Sequence, residues 1–165
     1  MNRLLTLAVV AFFSAWVATG AVDVKAAGLT ALDGKKSAGV EVTSAVPDKA
    51  ESANALKQAI VAQLVSKNVF KALTASNAAD YQVKVNILSV SEVAQGVRIL
   101  LGAFAGKAEI STQVDVFDSK AGKSMGNFVA KGKSSSGTIF AGTTQEAIDQ
   151  AAAQIADHLL ANRLP

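Results

Sequence analysis

The chain is predicted to be an α+β protein: a two-layer sandwich, mainly antiparallel sheet, with two amphipathic helices on one face. Three observations carry this reading. Residues Tyr81 to Ile87 and Ala108 to Val116 alternate apolar and polar side chains with period two, the pattern of strands that are wet on one side. Residues 53–65 and 147–159 instead repeat apolar residues every three to four positions, the pattern of helices with one buried stripe. The order is strand, helix, strand, several antiparallel strands, helix, and two such helices can cover one face of the sheet.

Taken in order, residues 27–38 are small and polar without a sustained period and read as a flexible lead or short edge segment. Val40 to Val46 is a first strand closed by Pro47. Asp48 stands three residues before Glu51, the spacing of a capping box with Asp in place of Ser or Thr. Ala53, Leu56, Ile60 and Leu64 then form a helical stripe, widened by Val61 and Val65, and Asn68 is a left-handed stop. Val69 to Leu73 reads as a short strand before a turn at Ser76-Asn77. In the strand from Asp80 to Val90, Tyr81, Val83, Val85 and Ile87 share a face. Leu88 and Val90 break the phase, which predicts a bulge or a strand bend near Leu88. Ala108, Ile110, Thr112, Val114 and Val116 share a face of the next strand. Asp118 to Lys123 is a hairpin connection with Gly122 where positive φ is needed, and Met125 to Ser135 returns as its partner. Thr143 and Glu146 make a T-x-x-E capping box for the last helix. Its stripe is Ala147, Ile148, Ala151, Ile155 and Leu159, flanked by Ala152 and Ala156, and extended by Leu160 and Leu164.

The first 26 residues have a different character. Met1-Asn2-Arg3 is followed by an uncharged run from Leu4 to Val22, then by small residues. A basic start, an apolar stretch and a small-residue exit make a secretory signal peptide. Cleavage fits after Gly20 or, preferably, after Ala26. The domain reading is therefore a signal peptide at 1–26, the lead at 27–38 and one α+β domain at 39–165. The expected location is periplasmic or secreted. The alternative is an uncleaved leader acting as a membrane anchor, since the run approaches the roughly 20 apolar residues that span a bilayer. There is no Cys, so neither a disulfide framework nor a lipid-bearing cysteine is available. Net charge is +3, too mild to indicate nucleic-acid binding.

A search for chemistry returns no assembled site. One His and no Cys argue against zinc, which takes His or Cys among three or four ligands. His158 reads as a surface residue. Asp115-Val116-Phe117-Asp118 lacks the spacing of a calcium loop. Gly122-Lys123-Ser124 and Gly132-Lys133-Ser134 lack the earlier glycine of a phosphate loop, with Phe117 and Asn127 in its place, and Gly102 to Lys107 is one residue short. No catalytic residue, cofactor or metal is expected. The unusual stretch is Gly96 to Lys107, GVRILLGAFAGK, because an ordinary connecting loop is polar. Arg98, Ile99, Leu100, Leu101 and Phe104 either fold back to cap the core or form an exposed docking or membrane-touching loop.

Val97 to Ala108, then Val114 to Lys123, then Gly132-Lys133-Ser134-Ser135-Ser136-Gly137 before an alanine-rich helix, form an ordered set. It resembles the bacterial exported family called domain of unknown function 4410, over about residues 40–160. The resemblance implies an envelope location and carries over no activity and no catalytic residue. Many members look like lipoproteins, and this chain departs from them in lacking the lipidation cysteine. More distantly, the helix, the short Val69–Leu73 segment and the Ala79-Asp80-Tyr81 strand entry are similar to periplasmic domains of envelope-assembly proteins. Examples are the N-terminal domain of the Tol system's periplasmic protein and the periplasmic part of the curli secretion channel. The expected function is a non-catalytic envelope domain that binds a protein partner, through the apolar loop or an exposed sheet edge. Any membrane contact would run through loop 96–107 or an uncleaved leader. The alternative is a carrier of a small apolar ligand or lipid.

Overall fold

The computed structural model describes residues 28–92, 107–135 and 143–164. The expected signal peptide and the loop residues Arg98, Ile99, Leu100, Leu101 and Phe104 lie outside them. The described strands are β1 (Leu32–Asp33), β2 (Ser37–Ser44), β3 (Ala72–Leu73), β4 (Tyr81–Ser91), β5 (Glu109–Asp118), β6 (Lys123–Lys133) and β7 (Arg163–Leu164). The helices are α1 (Ala50–Ser66) and α2 (Thr144–Ala161), with a short 3-10 turn at Ser76–Ala78. The fold is α+β, with α1 and α2 packed together over one side of a five-stranded sheet ordered β3-β2-β4-β5-β6.

The sheet is mixed. β4, β5 and β6 run antiparallel, whereas β2 joins both β3 and β4 in parallel. A parallel pair needs a long crossover, and α1 supplies it between β2 and β4. Register places Val40, Val83, Val116 in one row and Val42, Val85, Val114, Phe128 in the next. These rows meet Leu56, Ile60 and Leu64 of α1 and Ala151, Ile155 and Leu159 of α2 in one core. The helix stripes are as the periodicity predicts, with two exceptions: Val65 and Leu164 are exposed. Val65 lies beyond the arc that α1 turns to the sheet, and Leu164 belongs to β7.

Several local features match their sequence signals. Asn68 has φ 49°, and its N–H reaches Val65 O while that of Val69 reaches Leu64 O. That double bond is a complete Schellman motif, and both Leu64 and Val69 are buried. The β4–β5 ladder skips one residue between Ile87 and Ser89, which makes Leu88 the extra, exposed residue of a bulge. Gly122 turns the hairpin with φ 61°. Thr143 Oγ1 accepts the N–H of Glu146 at 3.1 Å.

Other expectations are corrected. The stretch read as a flexible lead or short edge segment carries β1 and the start of β2. Leu32 and Ala38 are fully buried, and β1 pairs in parallel with β7 at the far end of the chain. Small residues there let backbone lie close to backbone, which composition alone reads as freedom. Asp48 is no cap: the N-cap of α1 is Lys49, with no side-chain cap bond. Asp48 instead holds φ 57°, a left-handed turn that Asp tolerates better than most residues. Of Val69–Leu73, only Ala72 and Leu73 pair as a strand. Val69 and Phe70 drop into the core. His158 is not a surface residue. It is half-buried, with its ring centroid 4.2 Å from that of Phe128.

Candidate functional site

Three surfaces formed by the described residues could carry function. The first is a polar cluster at the end of the sheet where β2 and β4 begin. Asp80 accepts from Ser37 N–H at 3.0 Å, Ser37 Oγ at 2.8 Å and Lys120 Nζ at 2.7 Å. Asp118 accepts from the N–H groups of Lys120 and Ala121 at 3.0 and 2.9 Å, and from Lys36 Nζ at 3.2 Å. Lys36 also lies 4.9 Å from the Tyr81 ring centroid, and Tyr81 OH accepts from Asp33 N–H at 3.2 Å.

A serine on a carboxylate suggests nucleophile activation, but the electrostatics oppose it. The Lys120 hydrogen bond, then those from Ser37, hold Asp80 far below the usual carboxylate range, so it is a poor proton acceptor. The turn N–H of Ala121, then Lys36, lower Asp118. The Asp118 bond raises Lys36, so that amine stays charged. The cluster ties the lead, β2, β4 and the β5–β6 turn together. Its chemistry is that of a clamp.

The second surface is the open face of the sheet. Glu41, Lys84, Asp115 and Asn127 stand side by side in one cross-strand row. Thr43, Asn86, Gln113 and Val129 form the next. Glu41, Thr43, Lys84, Val85, Asn86 and Asp115 line a shallow depression of about 110 Å³. Ligand pockets for drug-sized molecules run to about 300–1,000 Å³, so this hollow fits only a small polar group.

The third is the outer edge of β6. Alternate residues of an edge strand aim both backbone groups outward. Ser134 N–H bonds Ala108 O, toward β5, so the odd-numbered residues of this stretch face out. At one end of the edge, Thr30 N–H takes Met125 O at 2.7 Å. At the other, Gln150 Oε1 and Glu146 Oε1 of α2 accept from Lys133 and Ser135 N–H at 3.1 and 2.9 Å. Asn127, Val129 and Lys131 lie between, and no hydrogen bond from another described residue covers their outward backbone groups. These three residues were not singled out by the sequence. Their alternation marks a strand, but whether that strand is central or at an edge depends on partners far along the chain.

At β6, α2 lies directly on the sheet. A Cβ at Gly132 would lie 1.8 Å from Ala147 O and 2.7 Å from Ala151 N, so α2 touches the β6 backbone. Among the described residues no helix is long and apolar enough to cross a membrane.

The fold is shared with solved proteins of distant sequence. The PelC dodecamer of Paraburkholderia phytofirmans is 14% identical, with a TM-score of 0.60 over 85% of this chain and 97% of that one. A point variant of the same dodecamer gives 0.62 over 82% and 97%, also at 14% identity. A hypothetical protein of Chlamydia trachomatis, 14% identical, gives 0.50 over 77% and 99%. No protein of curated function matches the chain in sequence. Residues 18–138 match the family model described as domain of unknown function (DUF4410), and the chain belongs to that family, which its motifs resemble.

Proposed function

We propose that the chain is a non-catalytic domain, exported to the cell envelope, that works by binding protein. The observation that carries the reading is the stretch of β6 whose outward backbone groups no other described residue covers, since edge backbone is a template for an added strand. The basic-then-apolar leader supports export. The low basicity of Asp80 beside Ser37 supports a non-catalytic role for the one serine–carboxylate cluster described. The related fold of PelC occurs in a dodecamer, which supports protein–protein contact as a use of this architecture. The contact of α2 with Gly132 argues against the carrier alternative at that interface, where an apolar ligand would need room.

The test is photo-cross-linking in the living cell from a probe at Leu101, Phe104 or Val129, with the adducts identified by mass. Protein adducts from one of these positions are expected. Adducts to lipid alone, or none, would overturn the reading. If the contact includes the apolar loop, Leu101→Ser with Phe104→Ser removes protein capture while the circular dichroism spectrum is unchanged. Unchanged capture would restrict the contact to the sheet edge.

A further inference from the structure

We infer that residues 28–36 form a strap whose docking closes the Ala26–Ala27 bond to proteolysis, so that the leader is removed before the strap docks. This rests on the export reading above and sets the order of its steps.

The strap is bound along its length. A Cβ at Gly126 would lie 2.7 Å from Gly28 O and 3.0 Å from Leu29 Cα, and Gly126 holds φ 129°. Backbone lies on backbone there, at a position that suits only glycine. Thr30 N–H takes Met125 O at 2.7 Å. Leu32 is fully buried in the core, and its N–H takes Asn162 O at 2.8 Å. Asp33 N–H bonds Tyr81 OH at 3.2 Å, and Lys36 Nζ bonds Asp118 at 3.2 Å. The strap thus joins β6, the end of α2, β4 and the β5–β6 turn.

Distance turns this docking into a block. An extended residue spans at most about 3.6 Å, so the Ala26–Ala27 bond lies within about 7 Å of Gly28. An enzyme that grips an extended peptide by strand pairing takes residues on both sides of the bond. Ala27, Gly28 and Leu29 would have to enter its groove, yet Gly28 to Thr30 are held against β6. The reach is also shorter than the ~10 Å between packed sheets, so the enzyme's body would overlap β6. The Gly20–Ala21 bond can stand up to about 27 Å from Gly28 and stays open. A chain that docks its strap first therefore loses its leader at Gly20 or keeps it. The cut itself is a hydrolysis by an endopeptidase of the export apparatus. Water gives its hydroxyl to the Ala26 carbonyl carbon and a proton to the Ala27 nitrogen as the C–N bond breaks.

The test uses the full-length precursor, folded in detergent, and the leader peptidase of the cells that make it. A spacer of about eight Gly and Ser residues between Ala27 and Gly28 leaves the strap docked and moves the bond about 15 Å out. The wild-type precursor should be cut after Ala26 at least about tenfold more slowly than the spacer variant, because cleavage of a closed site tracks its open fraction. Leu32→Asp undocks the strap and should restore the cut without a spacer. Trypsin, which cuts after Lys25 without recognising a leader, should show the same order of rates. Folded wild-type precursor cut as fast as the spacer variant by both enzymes overturns the inference. If Leu32→Asp does not fold, the spacer variant still decides. If the peptidase cuts no form of the chain while trypsin finds the wild-type bond protected, the export reading fails and the closure of the bond by the strap stands.

Discussion

His158 packs its ring on Phe128, and its Nε2 is buried without a hydrogen-bond partner among the described residues. Burial lowers its pKa below the usual 6.5, because charging the ring here means losing water without gaining a partner. The unfolded chain therefore binds this proton more readily than the folded one. Stability tied to His158 is present above about pH 6.5 and declines as pH falls through that value toward the lower folded pKa. Asp80 and Asp118 are depressed from 3.8, so their contribution is present above that value and is lost only as pH falls below it. Melting temperature against pH should show two declines, one starting near about pH 6.5 and one below about pH 4. His158→Leu should flatten the first and leave the second. A first decline that persists in that variant would assign it to another group.

At the scale of elements, α2 and β6 are held by contact of backbone with backbone. Gly132→Ala places a methyl where Ala147 O already lies, and neither group is the free end of a side chain. The helix must lift from the sheet, so the loss should reach or exceed the ~1–3 kcal/mol typical of overpacking. Gly122 resists substitution for another reason: its φ is 61°, and a Cβ there would meet nothing within 4 Å. Gly122→Ala should lose about 1–2 kcal/mol through backbone conformation, and Gly122→Asn should recover much of it. Gly132→Asn should recover nothing. Urea midpoints of the four variants check this, and equal behaviour at the two glycines would refute the contact. The cap at Thr143 is a smaller effect, worth about 1 kcal/mol when removed.

For the whole molecule, the topology separates local from long-range pairing. β4, β5 and β6 are neighbours in sequence and pair as a meander. β2 reaches β4 only after α1 has crossed the sheet, and β1 meets β7 across nearly the full chain. The leader adds a prediction at this scale. Trp16 is the only Trp and Tyr81 the only Tyr. If export removes residues 1–26, the mature chain has no indole emission and is released by osmotic shock with the mass of residues 27–165. A full-length mass in the membrane pellet, resistant to high salt because apolar burial is unscreened, would make the leader an anchor.

By itself, the sequence determined the α+β class, the buried stripes of both helices and the inward faces of β4 and β5. It also marked the stop at Asn68, the bulge at Leu88, the turn at Gly122, the Thr143 cap and the family. The family rests on the likeness of an ordered set of motifs; the others follow from geometry within a few residues: side-chain periodicity, positive φ, or a cap three positions away. Only the tertiary structure decided that β2 runs parallel to β4, that residues 32–38 belong to the fold, that Asp48 turns rather than caps, and that His158 is half-buried. It also decided that Asn127, Val129 and Lys131 lie on an outer strand, since among the described residues no strand lies beyond β6. Pairing and edge status arise from contacts between residues distant in sequence, and a local pattern records which face of a strand is buried but not which strand lies beside it.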